Sequence, residues 1–393
     1  MSQRTSPPRL TLASGPVDVS PEILRGLQRP MVYHYDLVFL ETFRRVESLV
    51  KQVFQTSHDV IVMQGEAVLA LEAAAASLIR PGDTVLNLVS GVFGAGYAGW
   101  IERYGGTVIE LRTAFNDAID PERVRTMLGE HPEIELLVVV HCETPSGTMN
   151  PVGEICGIAR EFDVITIVDT VSGLAAEDFS PEASGMDIAV AGPQKCLGGV
   201  PGLSMVAVSP EAWARMESRQ HPLVGSYLSM LDWKHAWIDQ GRFPYTPSVA
   251  DIHALEVTLQ QAVDEGIADV ANRHQVIASA ARDAVRALGL SLWAARDEIA
   301  APGCTAVTTP DGVEAEELIR TMRDRYGVMI SGGYGELNCK LFRLGHMGMS
   351  AHPTTLFAQL GVLERSLLDL GVSITPGSGV GAAVSSLSNW HDS

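Results

Sequence analysis

Between about residues 60 and 210, short and almost wholly apolar runs alternate with helix-patterned segments, and few folds accommodate that rhythm. VIVMQG at 60–65 reads as a strand and EAVLALEAAAASLI at 66–79 as an alanine-rich helix. PGDTVLNLVSG gives a turn and a strand, and FGAGYAGWIERYG a helix. TVIELRT, IELLVVVHCE, DVITIVDTV, DIAVAGP and LSMVAVS read as further strands, with PERVRTMLGEHP and PVGEICGIAREF as helices among them. Strands apolar on both faces need cover on both, so the pattern predicts a mostly parallel sheet between helices, an α/β fold.

The 393 residues suit a large domain plus a smaller one. QGRFPYTPSVADIHALEVTLQQAVDEG begins extended and becomes a long helix near Ala250. Beyond residue 266 the order is helix, strand (AVTTP), helix, strand (VMISGG), strand (KLFRLGH), helix, which is an α+β texture. The expectation is an extended Pro- and Ser-rich arm over 1–20, a large domain over 21–265, and a smaller α+β domain over 266–393. Its last stretch, ITPGSGVGAAVSSLSNWHDS, reads as a loose tail.

Charge and cysteine usage exclude several roles. A net charge of −19 would repel nucleic acid and anionic membranes, so neither is expected as a partner. Five scattered cysteines without CxxC spacing predict neither a disulfide framework nor a zinc site, and no metal is expected. The amino-terminal twenty residues lack an apolar run of signal-peptide length, and no stretch reaches the ~18 apolar residues of a membrane span. The expected location is the cytoplasm.

Lysine is scarce: only residues 51, 195, 234 and 340. Lys195 lies in AGPQKCLGG, between an apolar strand and glycines that allow close backbone approach. A partly desolvated amine there has a lowered pKa and serves as nucleophile and base. A lone loop lysine is more often a solvated surface group, but its context speaks against that. Twenty-six residues upstream, Asp169 ends the strand DVITIVD, and an acid at that end of a parallel strand points into the ligand crevice. Such an acid keeps a pyridine nitrogen protonated and the ring an electron sink.

VDTVSG and AGPQKCLGG, with HCETPSGT before them, resemble the class V aminotransferases of the alanine–glyoxylate type. The resemblance runs from SGPVDVSPEIL to LFRLGHMG. It implies a fold-type-I transferase with a mostly parallel seven-stranded sheet, working as a homodimer or dimer-based tetramer with the site at the subunit interface. On that resemblance Lys195 carries the Schiff base to a pyridoxal-type ring and shuttles the proton, while Asp169 pairs with the ring nitrogen. Thr144 is implied at the ring's phenolic oxygen, Phe93 on the ring face and Gln194 in support. Arg343, in KLFRLGHMG, is implied as the bidentate clamp on the substrate carboxylate.

In phosphate-binding members the 5′-phosphate sits where the first core strand meets its helix, because free N–H groups and the helix dipole favour an anion there. Here that junction reads VMQGEAVLALEA, without Ser or Thr from Gln64 to Ala67, and Glu66 brings its own negative charge. Glu is also simply favourable in a first helical turn. The Glu66 helix, with VLNLVSGVFGAG, PYTPSV and RLGHMG, is similar to a branch of the family that takes unphosphorylated pyridoxamine as a substrate. That branch carries a glutamate at this position. The resemblance then implies transfer of the amino group of pyridoxamine to a small 2-oxo acid, pyruvate favoured, giving pyridoxal and L-alanine. Pyridoxal 5′-phosphate as a retained cofactor, in an alanine– or serine–glyoxylate-type reaction, is the alternative. Tyr334, in SGGYGELNC, stands where the branch has a second arginine, which leaves glyoxylate or another 2-oxo acid open as acceptor. Tyr245 and Thr246, in FPYTPSV, resemble the segment that reaches across to the ring from the partner subunit.

Overall fold

The computed structural model describes residues 6–388 and 390. Residues 1–5 of the expected arm and residues 389 and 391–393 of the expected tail lie outside it.

All seven apolar runs form strands of one sheet. Their spatial order is Asp59–Gln64, Leu203–Val208, Ile188–Ala191, Ile165–Asp169, Ile134–Val140, Thr84–Val89 and Thr107–Arg112. Only Leu203–Val208 runs against the rest, pairing antiparallel with both neighbours. The central strands are buried along almost their whole length, as strands covered on both faces must be. Between the first two strands in sequence lies the helix Ala67–Leu78, nine of whose twelve residues are buried. Its small alanines let the helix pack closely on the sheet.

Gly266, at φ +94°, separates the helix Val249–Glu265 from the helix Ile267–Ala287. A second apolar core follows, built on Ile277, Leu318, Phe342, Leu344 and Leu363. It covers a three-stranded antiparallel sheet in which Leu341–Gly345 lies between Cys304–Thr308 and Ser331–Gly332. The arm joins this core: Leu10–Thr11 pairs in parallel with Val328–Met329, and Leu12 is buried within the cluster.

The carboxyl-terminal stretch departs from the loose tail expected of it. Ser378–Ser386 is a helix, with Ala383 in the second core. Its amino end begins at Gly377, which has no capping side chain, and Glu364 supplies the cap from another helix. The Glu364 carboxylate accepts from the Gly377 N–H at 2.5 Å and the Val380 N–H at 3.0 Å. Among the described residues no helix is long and apolar enough to cross a membrane, and no group of three or more His, Cys, Asp or Glu could hold a metal ion.

Candidate active site

Side chains leaving the carboxyl ends of neighbouring parallel strands gather on one edge of a sheet. Asp169 closes its strand, beside Val140 and Val190 of the flanking strands. Glu66 comes two residues past the end of its strand, and Phe93, Thr144 and Lys195 each come four past theirs. These five residues and Tyr334 line one pocket of about 380 Å³. A larger hollow of about 840 Å³ lies near Thr113, Asn150 and Arg296, but no lysine lines it. The convergence of amine and acid makes the smaller pocket the candidate site.

The Lys195 Nζ donates to the Ser14 carbonyl at 2.9 Å. Gly15, at φ +96°, leaves the room: a Cβ there would lie 2.5 Å from the lysine Cδ. Burial lowers the pKa of this amine, and the positive charge of Arg343 acts in the same direction. Asp169 accepts from the Val171 N–H at 2.9 Å. Burial lifts its pKa to about 6, against that N–H and the Lys195 charge, which both pull it down.

Thr144 ties two parts of the pocket together. Its hydroxyl shares a 2.5 Å hydrogen bond with Ser172, and its carbonyl accepts from the Arg343 guanidinium at 2.9 Å. The Arg343 Nε donates to the Gly332 carbonyl at 2.8 Å. No described carboxylate pairs with Arg343, so this half-buried cation is oriented by two carbonyls and keeps an unneutralised charge. Arg343 stands behind the pocket lining, joined to it through Thr144.

Glu66 is both a helix cap and a pocket wall. One carboxylate oxygen accepts from the Val68 N–H at 3.0 Å, and the other from the Gln194 side-chain amide at 2.6 Å. Gln194 is buried and stands behind Glu66 rather than in the lining. Phe93 and Tyr334 are substantially exposed, with ring centroids 6.2 Å apart. Tyr245 and Thr246 do not line the pocket of their own chain. Tyr245 stacks on Tyr227 and accepts from the Trp233 indole N–H at 3.1 Å, while Thr246 is exposed.

Three contributors were not singled out in the sequence: Ser14, Ser172 and Glu143. Ser14 acts through its backbone, which no side chain advertises. Ser172 lies three residues past Asp169 in VDTVSG and could have been found as a hydroxyl close to the acid. Glu143 sits inside HCETPSG, directly before Thr144, as the one acidic group of that motif. It is fully buried, its carboxylate accepts the N–H groups of Phe93 and Gly94, and burial lifts its pKa to about 7. Taken together, a desolvated amine, a buried acid and an oriented guanidinium suit a flat cationic heteroaromatic ring beside a carboxylate-bearing substrate.

Known proteins resemble the chain over nearly its whole length. The pyridoxamine–pyruvate transaminase of Mesorhizobium japonicum is 44% identical over 377 residues, covering 96% of each chain. The crystal structure of pyridoxamine–pyruvate aminotransferase from Mesorhizobium loti superposes with a TM-score of 0.96 at 43% identity, covering 99% of both chains. That of an alanine–glyoxylate aminotransferase from Nostoc sp. gives 0.89 at 30% identity, over 93% of this chain and 97% of the other. The family model for aminotransferase class V matches residues 24–349. With a fold-type-I architecture matched over nearly its whole length, this chain belongs to the class V aminotransferases.

Proposed function

We propose that the chain moves the amino group of free pyridoxamine to a small 2-oxo acid, pyruvate favoured, giving pyridoxal and L-alanine. The observation that carries the proposal is the Glu66 carboxylate seated on the amino end of the helix Ala67–Leu78. A helix amino terminus is where a phosphate would dock, and here the protein's own anion fills the seat. Two unit charges 4 Å apart repel by about 4 kcal/mol at an effective dielectric of 20, so a phosphate dianion is strongly disfavoured. A neutral hydroxymethyl group can instead donate to this carboxylate.

The residues fit the ring in this reading. Bound there, the pyridine ring supplies an electron sink for the amino-group exchange. Asp169, already short of water, is stabilised as a carboxylate by a ring-nitrogen proton. Thr144 offers a hydroxyl and Phe93 an aromatic face. From behind the lining, the unneutralised charge of Arg343 draws the carboxylate of the oxo acid to the Thr144 side of the pocket and so orients it. Lys195 Nζ, kept from full protonation by burial, takes a proton from one carbon and returns it to another.

The pocket mouth carries exposed apolar groups, Val68, Phe93 and Tyr334, which fits completion of the site by a second copy of the chain. In that homodimer, or a tetramer built from it, Tyr245 and Thr246 serve the partner's site. All five cysteines are free, including the exposed Cys339, which fits a reducing compartment and a cytoplasmic enzyme.

The likeness to an alanine–glyoxylate aminotransferase supports a second reading, a phosphate-dependent enzyme of that type. A side-by-side assay separates the two. Purified protein is given pyridoxamine or pyridoxamine phosphate, each with pyruvate or glyoxylate, and aldehyde formation is followed. Turnover with pyridoxamine alone supports the proposal; turnover with the phosphate alone replaces it with the second reading.

A further inference from the structure

We infer that Glu143 is a positioning residue, acting on the bound ring through Phe93. The helix Val92–Arg103 carries Phe93 in its first turn, yet its N-cap is Gly91, which offers no side chain to the free N–H groups. Glu143 supplies the cap from a distant segment, one oxygen on the Phe93 N–H at 3.0 Å and the other on the Gly94 N–H at 2.7 Å. The space is purpose-built. A Cβ at Gly91 would lie 2.3 Å from the Glu143 carboxyl carbon, and one at Gly94 would lie 3.2 Å from its oxygen.

Two N–H bonds to one carboxylate fix both the position and the tilt of the backbone that presents Phe93. The next residue, Thr144, holds Arg343 through its carbonyl, so adjacent residues set the aromatic wall and the carboxylate clamp. No described cation contacts Glu143, and Asp169 adds a like charge in range, so the two helix N–H groups are its chief stabilisation. Glu143 is absent from the pocket lining. Whatever it contributes to ring binding passes through the helix end. By reciprocity, a ring stacked on Phe93 tightens the clamp as much as the clamp tightens the ring.

The inference rests on the ring-binding reading of the pocket, so the probes are pyridoxine and pyridoxine phosphate, alcohols that cannot bond covalently to Lys195. Dissociation constants are measured for the unaltered protein, Glu143→Gln, Phe93→Leu and the double variant, with melting temperatures alongside. The ratio between the two probes reads Glu66, while the cycle with whichever probe binds better reads Glu143. Glu143→Gln is expected to weaken that probe about fivefold, and the double variant to bind no worse than Phe93→Leu alone. Full additivity of the two losses, or a lowered melting temperature with unchanged affinity, overturns the inference. Should Glu143→Gln fail to fold, hydrogen exchange in the unaltered protein decides. Saturating probe is expected to slow exchange at the amides of residues 93 and 94, and unchanged exchange there overturns the inference.

Discussion

Glu66 shows how one side chain can hold a structural and a selective duty together. As the N-cap of Ala67–Leu78 it satisfies a backbone N–H, and on the proposed reading its negative charge fills the place a phosphate would take. Glu66→Ser keeps a good N-cap and removes the charge, leaving the Gln194 amide as a donor for a phosphate oxygen. The affinity ratio of pyridoxal phosphate to pyridoxal is expected to rise by roughly two orders of magnitude. Equilibrium titration of both vitamers measures it, and an unmoved ratio would mean that the carboxylate does not set vitamer choice. The charge and position of Glu66 were legible in the sequence, because a strand followed by a helix places that junction on the ligand edge. The Gln194 contact was not, since it joins residues 128 apart that only the sheet order brings together.

Of the three described helices that begin at a glycine, two receive their caps from elsewhere. Glu143 closes Val92–Arg103, and Glu364 closes Ser378–Ser386. Start signals in sequence are local, so borrowed caps cannot be read from them. This is one reason why the Gly- and Ser-rich stretch after residue 375 reads as loose. The other is that its stability comes from tertiary packing of Ala383 and Leu387, which overrides weak propensity. Lys195 and Asp169 were legible for the opposite reason, as each sits at or just past a strand end, while Thr144 was legible only through the family resemblance of HCETPSG. The arm also works as an element, since Gly15 lies against the lysine with φ +96°. Gly15→Ala adds both backbone strain and a Cβ 2.7 Å from Nζ. Turnover is expected to fall at least tenfold, about 1.4 kcal/mol in barrier, with a melting temperature reduced by only a few degrees. Turnover within twofold of the unaltered protein would show that the Ser14–Lys195 contact is dispensable.

At the scale of the whole molecule, two buried carboxyls shape stability. Burial holds Asp169 at about 6 and Glu143 at about 7, each above its ordinary value of 3.8 or 4.5. The folded protein therefore binds protons more tightly than the unfolded chain between about pH 4 and 7. Their contribution is fully present at the acid end of that window and is lost as pH rises through it. In ring-free protein, melting curves from pH 5 to 8 are expected to show a steeper alkaline loss than those of an Asp169→Asn, Glu143→Gln double variant. Equal slopes would show that neither group carries an elevated pKa. Adding pyridoxine is expected to cancel the Asp169 share, because a ring-nitrogen proton then keeps that carboxylate company.

The lysine's resting place has a consequence for biosynthesis. Its amine leans on the Ser14 carbonyl, in an arm that pairs with Val328 and Met329. Translation at about 5–20 residues per second puts roughly 20–60 s between the emergence of Leu10 and that of Val328. The arm has no strand partner until then, and Arg343 has not yet left the ribosome. A nascent chain can thus present its lysine strand-end motif long before it can use it.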